Sequence, residues 1–264
     1  MKEATRRTLD TMPALTVTLV GGPTALLEYG GSRLLTDPTF DQPGTYERAS
    51  APTLRKTAGP ALTAEEIGDV DAVLLSHDHH EDNLDGAGRA YLSRAGRVLT
   101  TAAGAERLGG NAVGLKPWET TEVGEVTVTA VPAQHGPDGT DHLTGPVIGF
   151  VLEAEGLPRV YVSGDNAAVR VVQEIVDRLG QLELAVLHAG GASLQGRFDG
   201  ALLTLGAVEA THAARVLGAR AVVPIHQEGW AHFSAPPEAL RAAFDDAGLG
   251  EVLVDVAPGE TVSA

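Results

Sequence analysis

Four short apolar runs in this chain lead to a histidine and a fifth to an aspartate, and this repetition limits the folds open to it more than any other feature. The run 71–76 (DAVLLS) delivers the chain to His77, 125–131 (EVTVTAV) leads to His135, 184–187 to His188 and 221–225 to His226. The run 159–163 leads to Asp165 within Ser-Gly-Asp-Asn. Runs of this length and composition read as buried strands. Strand ends are where α/β proteins place reactive side chains, because the scaffold there is rigid and the following loop is open to solvent.

The pattern between these points predicts β-then-α segments in two halves, about 14–120 and 121–258, within a single domain spanning 1–264. In the first half, strands are expected at 15–20, 25–29 and 33–36, then a Pro- and Gly-rich loop over 37–60 of a length often found in functional segments. Thr63 and Glu66 form a capping box that opens a short helix. A helix over 84–95 and a strand at 97–100 follow the first histidine cluster. In the second half, strands are expected at 125–131, 147–153, 159–163, 184–188, 221–225 and 251–254, with helices at 167–179, 207–217 and 237–247. Two sheets packed face to face with helices outside are the architecture this order favours.

Composition excludes several classes. The chain has 264 residues, 35 acidic against 19 basic side chains and a net charge of −16, which repels phosphate backbones and anionic membranes at long range. A small-molecule partner is expected, with neither nucleic acid nor membrane. No cysteine is present, so thiolate ligands are excluded. Residues 1–13 lack the apolar stretch of a leader, and no run is long enough to span a bilayer, so a cytoplasmic location is expected. No Gly-x-Ser-x-Gly occurs, which argues against a serine nucleophile.

The densest local signal is Ser76-His-Asp-His-His-Glu-Asp-Asn-Leu-Asp85. Imidazole and carboxylate together suit zinc, iron or manganese. The plainer reading is a polar loop before a helix, with Asp82 or Asn83 as its N-cap.

This segment resembles the His-x-His-x-Asp-His signature of the metallo-β-lactamase superfamily. The later pieces come in that superfamily's order: Ala133-Gln-His135, Ser163-Gly-Asp165 and Pro224-Ile-His226. The resemblance runs from about Leu15 to Val254 and is greatest to the branch of ascorbate-6-phosphate lactonase and the N-acyl-phosphatidylethanolamine phospholipase D. It implies a four-layer αβ/βα sandwich. It also implies one divalent ion held by His77, His79 or His80, and His135, and a second held by Asp82 and His226 with Asp165 bridging. Zinc is the expected metal, as one or two ions, with iron or manganese as alternatives.

The first motif departs from the signature by one residue. Counted from its start, His77 and His79 fill the leading positions. Counted from its end, Asp82-Asn83-Leu84-Asp85 resembles Asp-His-Leu-Asp, with His80 before it and Asn83 where a histidine belongs. Either register lacks one imidazole, so the second metal position is weakened or rebuilt, with His80, Asp78 and His232 as the side chains open to replace it.

The resemblance further implies that Asp82 orients a water or accepts its proton and that Asp37 supports the metal ligands from behind; Asp78 is placed in the same supporting role. His232 is a candidate proton donor to the leaving group. Trp230, His188, Asn83 and His142 are candidate substrate contacts. For Trp230 the alternative is packing, with Phe233, under the final helix; for His188 it is a hydrogen-bonded core histidine. The expected function is a metal-dependent hydrolase acting on a small ester, lactone or phosphodiester. Two rivals remain open: an iron enzyme using oxygen, and a binding protein whose metal site has decayed.

Overall fold

Alternation along the strands sorts apolar side chains onto two faces, and each face builds a different core. The computed structural model describes residues 13–47, 52–194 and 196–264; the expectation for residues 1–13 therefore lies, apart from Pro13, outside the described residues. Strands β1 (Leu15–Gly21), β2 (Thr24–Tyr29) and β3 (Ser32–Thr36) form an antiparallel meander. The expected loop then carries a small ribbon, β4 (Gly44–Tyr46) and β5 (Leu54–Lys56). Next come α1 (Ala64–Ile67), β6 (Val70–Leu74), α2 (Gly86–Tyr91), β7 (Ala95–Thr101), α3 (Ala102–Leu108) and β8 (Ala112–Leu115).

The second half contains β9 (Thr120–Val123), β10 (Val126–Pro132), α4 (Asp141–Thr144), β11 (Ile148–Glu153), β12 (Val160–Val162), α5 (Val169–Leu179) and β13 (Leu184–His188). It continues through α6 (Ala207–Leu217), β14 (Ala221–Ile225), α7 (Pro237–Asp246) and β15 (Thr261–Ser263). One sheet has the order β15-β1-β2-β3-β6-β7-β8, the other β14-β13-β12-β11-β10-β9.

The inner core lies between these sheets. Leu15, Val17 and Leu19 of β1 meet Val126, Val128 and Ala130 of β10, and Ile148, Phe150 and Leu152 of β11, in one cluster. The intervening residues face outward: Val151, Ala185 and Leu187 pack with Val172, Ile175, Ala213 and Phe244 from the helices over the second sheet. Leu35, Val73 and Leu75 pack with Ile67, Leu84 and Tyr91 over the first. The result is helix, sheet, sheet, helix: the four-layer sandwich.

Several boundaries differ from the sequence reading. The helix expected over 84–95 is α2 followed by a 3₁₀ turn, Leu92–Arg94, and its N-cap is Asp85, whose side chain accepts from Gly88 N. The strand expected at 251–254 is a 3₁₀ turn, Gly250–Val252, followed by an isolated bridge from Leu253 to Val222 of β14. Short strands β8, β9 and β15 and helix α3 were not anticipated.

Strand direction positions the site. β12, β13 and β14 run parallel, so Asp165, His188 and His226 emerge at one sheet edge. In the same way β3 and β6 are parallel, and Asp37 and His77 leave them side by side.

Candidate metal centre

Three imidazoles converge at the start of the site. His77 Nε2 lies 2.9 Å from His80 Nδ1, and His135 Nε2 lies 3.3 Å from the same His80 atom. On the far side of its ring, His135 Nδ1 lies 2.7 Å from the Leu203 carbonyl oxygen. A carbonyl can only accept, so Nδ1 carries the proton and Nε2 presents a lone pair to the cluster. Burial and the neighbouring His80, His135 and His79 rings hold His77 well below the ordinary histidine range, partly offset by Asp165, and so keep it neutral. Zinc–nitrogen bonds of about 2.0–2.1 Å in a tetrahedron put ligand nitrogens about 3.3–3.4 Å apart. The donor set and its spacing therefore fit one divalent ion.

His79 is not part of this triad. Its ring turns toward Asp78, with Nδ1 3.5 Å from Oδ1, and is 28% exposed. The chain bends at 78–79, and it is His80 rather than His79 that groups with His77 and His135, as in the register counted from the motif's end. Asp78 supports this turn rather than a ligand: Arg107 Nε donates to its Oδ2 at 2.8 Å.

A second group lies beyond the triad. Asp165 Oδ1 is 2.9 Å from His188 Nδ1, 3.2 Å from His226 Nδ1 and 3.2 Å from Asn83 Nδ2. Asp165 Oδ2 and both ring nitrogens of His226 are buried without a hydrogen-bond partner. Leaving such atoms unpaired costs about 1–3 kcal/mol each, so a group that binds them is expected. Burial alone would raise the Asp165 carboxyl, but the His226, His188 and His135 rings hold it well below the carboxylate range.

Asp82 faces the site from the end of the motif. Its Oδ2 lies 2.9 Å from His232 Nε2 and 3.8 Å from His226 Nε2. Burial opposes its charge, but His232, His226 and His80 keep it ionised. Behind the motif, Asp37 Oδ1 accepts from Ser76 N at 2.7 Å, fixing the backbone where the histidines begin. Burial pushes the Asp37 carboxyl up to about 7 despite the adjacent His188 ring. Asp37 and His226 both adopt positive φ, 24° and 61°. Non-glycine residues in that region mark places where surrounding contacts hold the backbone under strain.

The expected substrate contacts fall elsewhere. His188 and Asn83 are completely buried, so they are interior groups of the metal centre rather than pocket walls. His142 is exposed and bonds the Gly139 carbonyl, while its neighbours Leu143 and Thr144 line the cleft. Trp230 is buried against Tyr46 and Lys56 of the β4–β5 ribbon, not under the final helix. The cleft over the triad, about 600 Å³ including its open mouth, is walled by Leu54, Leu143, Leu194, Phe198 and Leu203, with Arg197 beside them. Sequence reasoning missed these wall residues. Leu194, Phe198 and Leu203 come from the segment after His188, and Leu54 and Leu143 from β5 and α4, so no single sequence pattern marks them.

Two packed sheets with histidines and aspartates gathered at their strand ends define a class: metal-dependent hydrolases of the metallo-β-lactamase fold. The chain belongs to the beta-lactamase superfamily domain family, whose model matches residues 32–227. A UPF0173 metal-dependent hydrolase of Pyrococcus abyssi is 30% identical over 216 residues, covering 77% of this chain and 87% of that protein. A possible metal-dependent hydrolase from Veillonella parvula has the same fold, with TM-score 0.83 at 16% identity over 96% of this chain and all of that one. An isothiocyanate hydrolase from Delia radicum gut bacteria matches with TM-score 0.79 at 23% identity, over 94% of this chain and all of that one. Among the described residues, no helix is long and apolar enough to cross a membrane.

Proposed function

We propose that this chain is a zinc-dependent hydrolase that opens small, largely apolar esters or lactones in the cytoplasm. The observation that carries the reading is the His77, His80 and His135 triad, of which His80 and His135 line a cleft with mainly aliphatic and aromatic walls. Such walls favour an uncharged acyl portion over a nucleic acid backbone. A divalent ion in the triad supplies polarisation of the scissile carbonyl and lowers the pKa of a water from 15.7 to about 7.

The chain's own residues do the rest. Asp82 is ionised and accepts the proton of the attacking water. The water oxygen bonds to the carbonyl carbon, and the bond from that carbon to the leaving oxygen breaks. His232 lines the cleft and is hydrogen bonded to Asp82 through Nε2. It passes the proton to the leaving oxygen, so acid, alcohol and charge balance. Asp165, in the second donor group, brings a buried negative charge to within 3.8 Å of His135 Nδ1 in the first.

The test is a panel of phenyl esters, γ- and δ-lactones, a phosphodiester and an alkyl isothiocyanate, each assayed with zinc-loaded protein. Turnover of an ester or lactone that disappears with chelator and with His135→Ala supports the reading. Absence of turnover across the panel, or turnover indifferent to both treatments, overturns it.

A further inference from the structure

Asn83 stands where the motif's last imidazole belongs, yet the metal centre is not short of imidazoles. The second group of potential ligands consists of Asp165, His188 and His226, all buried, with donor atoms within 4.8 Å of one another. We propose that His188 is the replacement imidazole: it is the third donor of a second metal position, beside Asp165 and His226, doing the work that position 83 has lost. This rests on the metal reading above.

Asn83 Nδ2 and His188 Nδ1 approach the same oxygen, Asp165 Oδ1, at 3.2 and 2.9 Å. The two side chains thus share one corner of the site, one reaching it from the loop after β6 and the other from the end of β13. An asparagine side chain is shorter than an imidazole, and the ring of His188 reaches the space beside it.

On the other side of the ring, His188 Nε2 is buried without a hydrogen-bond partner. His188 Nε2 lies 3.6 Å from Asp37 Oδ2. A carboxylate behind one ring nitrogen favours the proton there and leaves the other nitrogen free to bind a metal. Without a bound ion, Nδ1 donates to the Asp165 carboxylate at 2.9 Å, because that carboxylate can only accept; a bound ion would take the place of this proton and leave the ring's proton to Nε2, on the Asp37 side. Register reinforces this: His188 pairs with Ile225, so His226 follows one residue beyond it on the neighbouring strand.

The rival replacements are occupied elsewhere. His80 belongs to the first triad. Asp78 is held by Arg107, and His232 by Asp82.

The experiment reads metal content, not turnover. Purified protein without a polyhistidine tag is loaded with zinc, desalted and measured by plasma mass spectrometry, alongside His188→Asn and the double variant His188→Asn with Asn83→His. Expected are two ions per chain in the wild type, one in His188→Asn with unchanged circular dichroism, and two again in the double variant. Two ions in a folded His188→Asn, or one in both wild type and variant, overturns the role of His188 while leaving a one-metal hydrolase intact. No ion in the wild type overturns both readings together. Should the variant not fold, ¹⁵N spectra of the wild-type histidine rings decide: the His188 Nδ1 resonance shifts with the second equivalent of zinc if it binds, and stays in place if it does not.

Discussion

Asp82 and His232 are 150 residues apart in the chain and meet at 2.9 Å, Oδ2 to Nε2, at the edge of the cleft. One comes from the loop after β6 and the other from the loop after β14, so the contact ties the two halves together at the reacting end. His232→Gln keeps bulk and polarity but cannot carry a proton. It is expected to lower kcat by roughly 10–100-fold, the usual range for losing a proton-transfer or supporting partner. Zinc bound at the triad should be unchanged, and KM should move little. Steady-state kinetics together with metal content check both parts; loss of metal in step with rate would make His232 a structural group only.

The ribbon over the site depends on one buried cation. Lys56 Nζ lies 2.9 Å from Asp85 Oδ2 and 3.1 Å from the Thr39 carbonyl, with its ammonium 5.5 Å from the Trp230 ring centre. Lys56→Ala would leave the Asp85 carboxylate buried without its cation. The expected destabilisation is about 3–5 kcal/mol, the cost of breaking a buried pair from one side. Urea unfolding of the metal-free protein measures it, and a loss below about 1 kcal/mol would show that the backbone N–H donors to Asp85 suffice alone.

Gly190 has no room for a side chain. A Cβ there would fall 1.8 Å from the His226 carbonyl oxygen. The loops after β13 and β14 touch at this point, and the closeness sets where His226 stands. Gly190→Ala should cost at least about 1–3 kcal/mol, as overpacking does, and reduce metal content through the displaced His226. Thermal unfolding with and without zinc separates the two effects.

Much of this site was legible in the chain, for a physical reason. Apolar runs that lead to His or Asp mark buried strands that end at the site, so His77, His135, Asp165 and His226 stand out from the sequence as strand-end residues. Finer points were not legible. His79 and His80 are adjacent in a turn, where neither the strand nor the helix period says which ring points inward. His188 could be placed at a strand end, but its face depends on pairing with β14, a contact distant in sequence. Strands β8, β9 and β15 are only three or four residues long and are held by their neighbours rather than by local preference. The ribbon in the 37–60 segment is hidden by its Gly and Pro content, and Trp230 gives no sign in sequence that it packs there.

Acid should weaken the fold through Asp78. Burial raises its carboxyl, but the hydrogen bonds from Arg107, helped by the nearby His79 ring, outweigh this and hold it below the usual range. A depressed folded pKa contributes stability above the unfolded value of about 3.9, and the contribution fades as pH falls below it. Metal-free wild type should therefore lose more stability between about pH 5 and pH 3 than Arg107→Ala does. Equal slopes in denaturant titrations across that window would remove the ion pair from the account.

The central claim is that the histidine triad uses His80 and passes over His79. Metal content after zinc loading, measured on His79→Ala and His80→Ala side by side with the wild type, tests it most directly. The account predicts that His79→Ala keeps the wild-type number of ions and that His80→Ala loses the ion of the first position. Loss of metal in His79→Ala with retention in His80→Ala would contradict it, placing the motif in the other register.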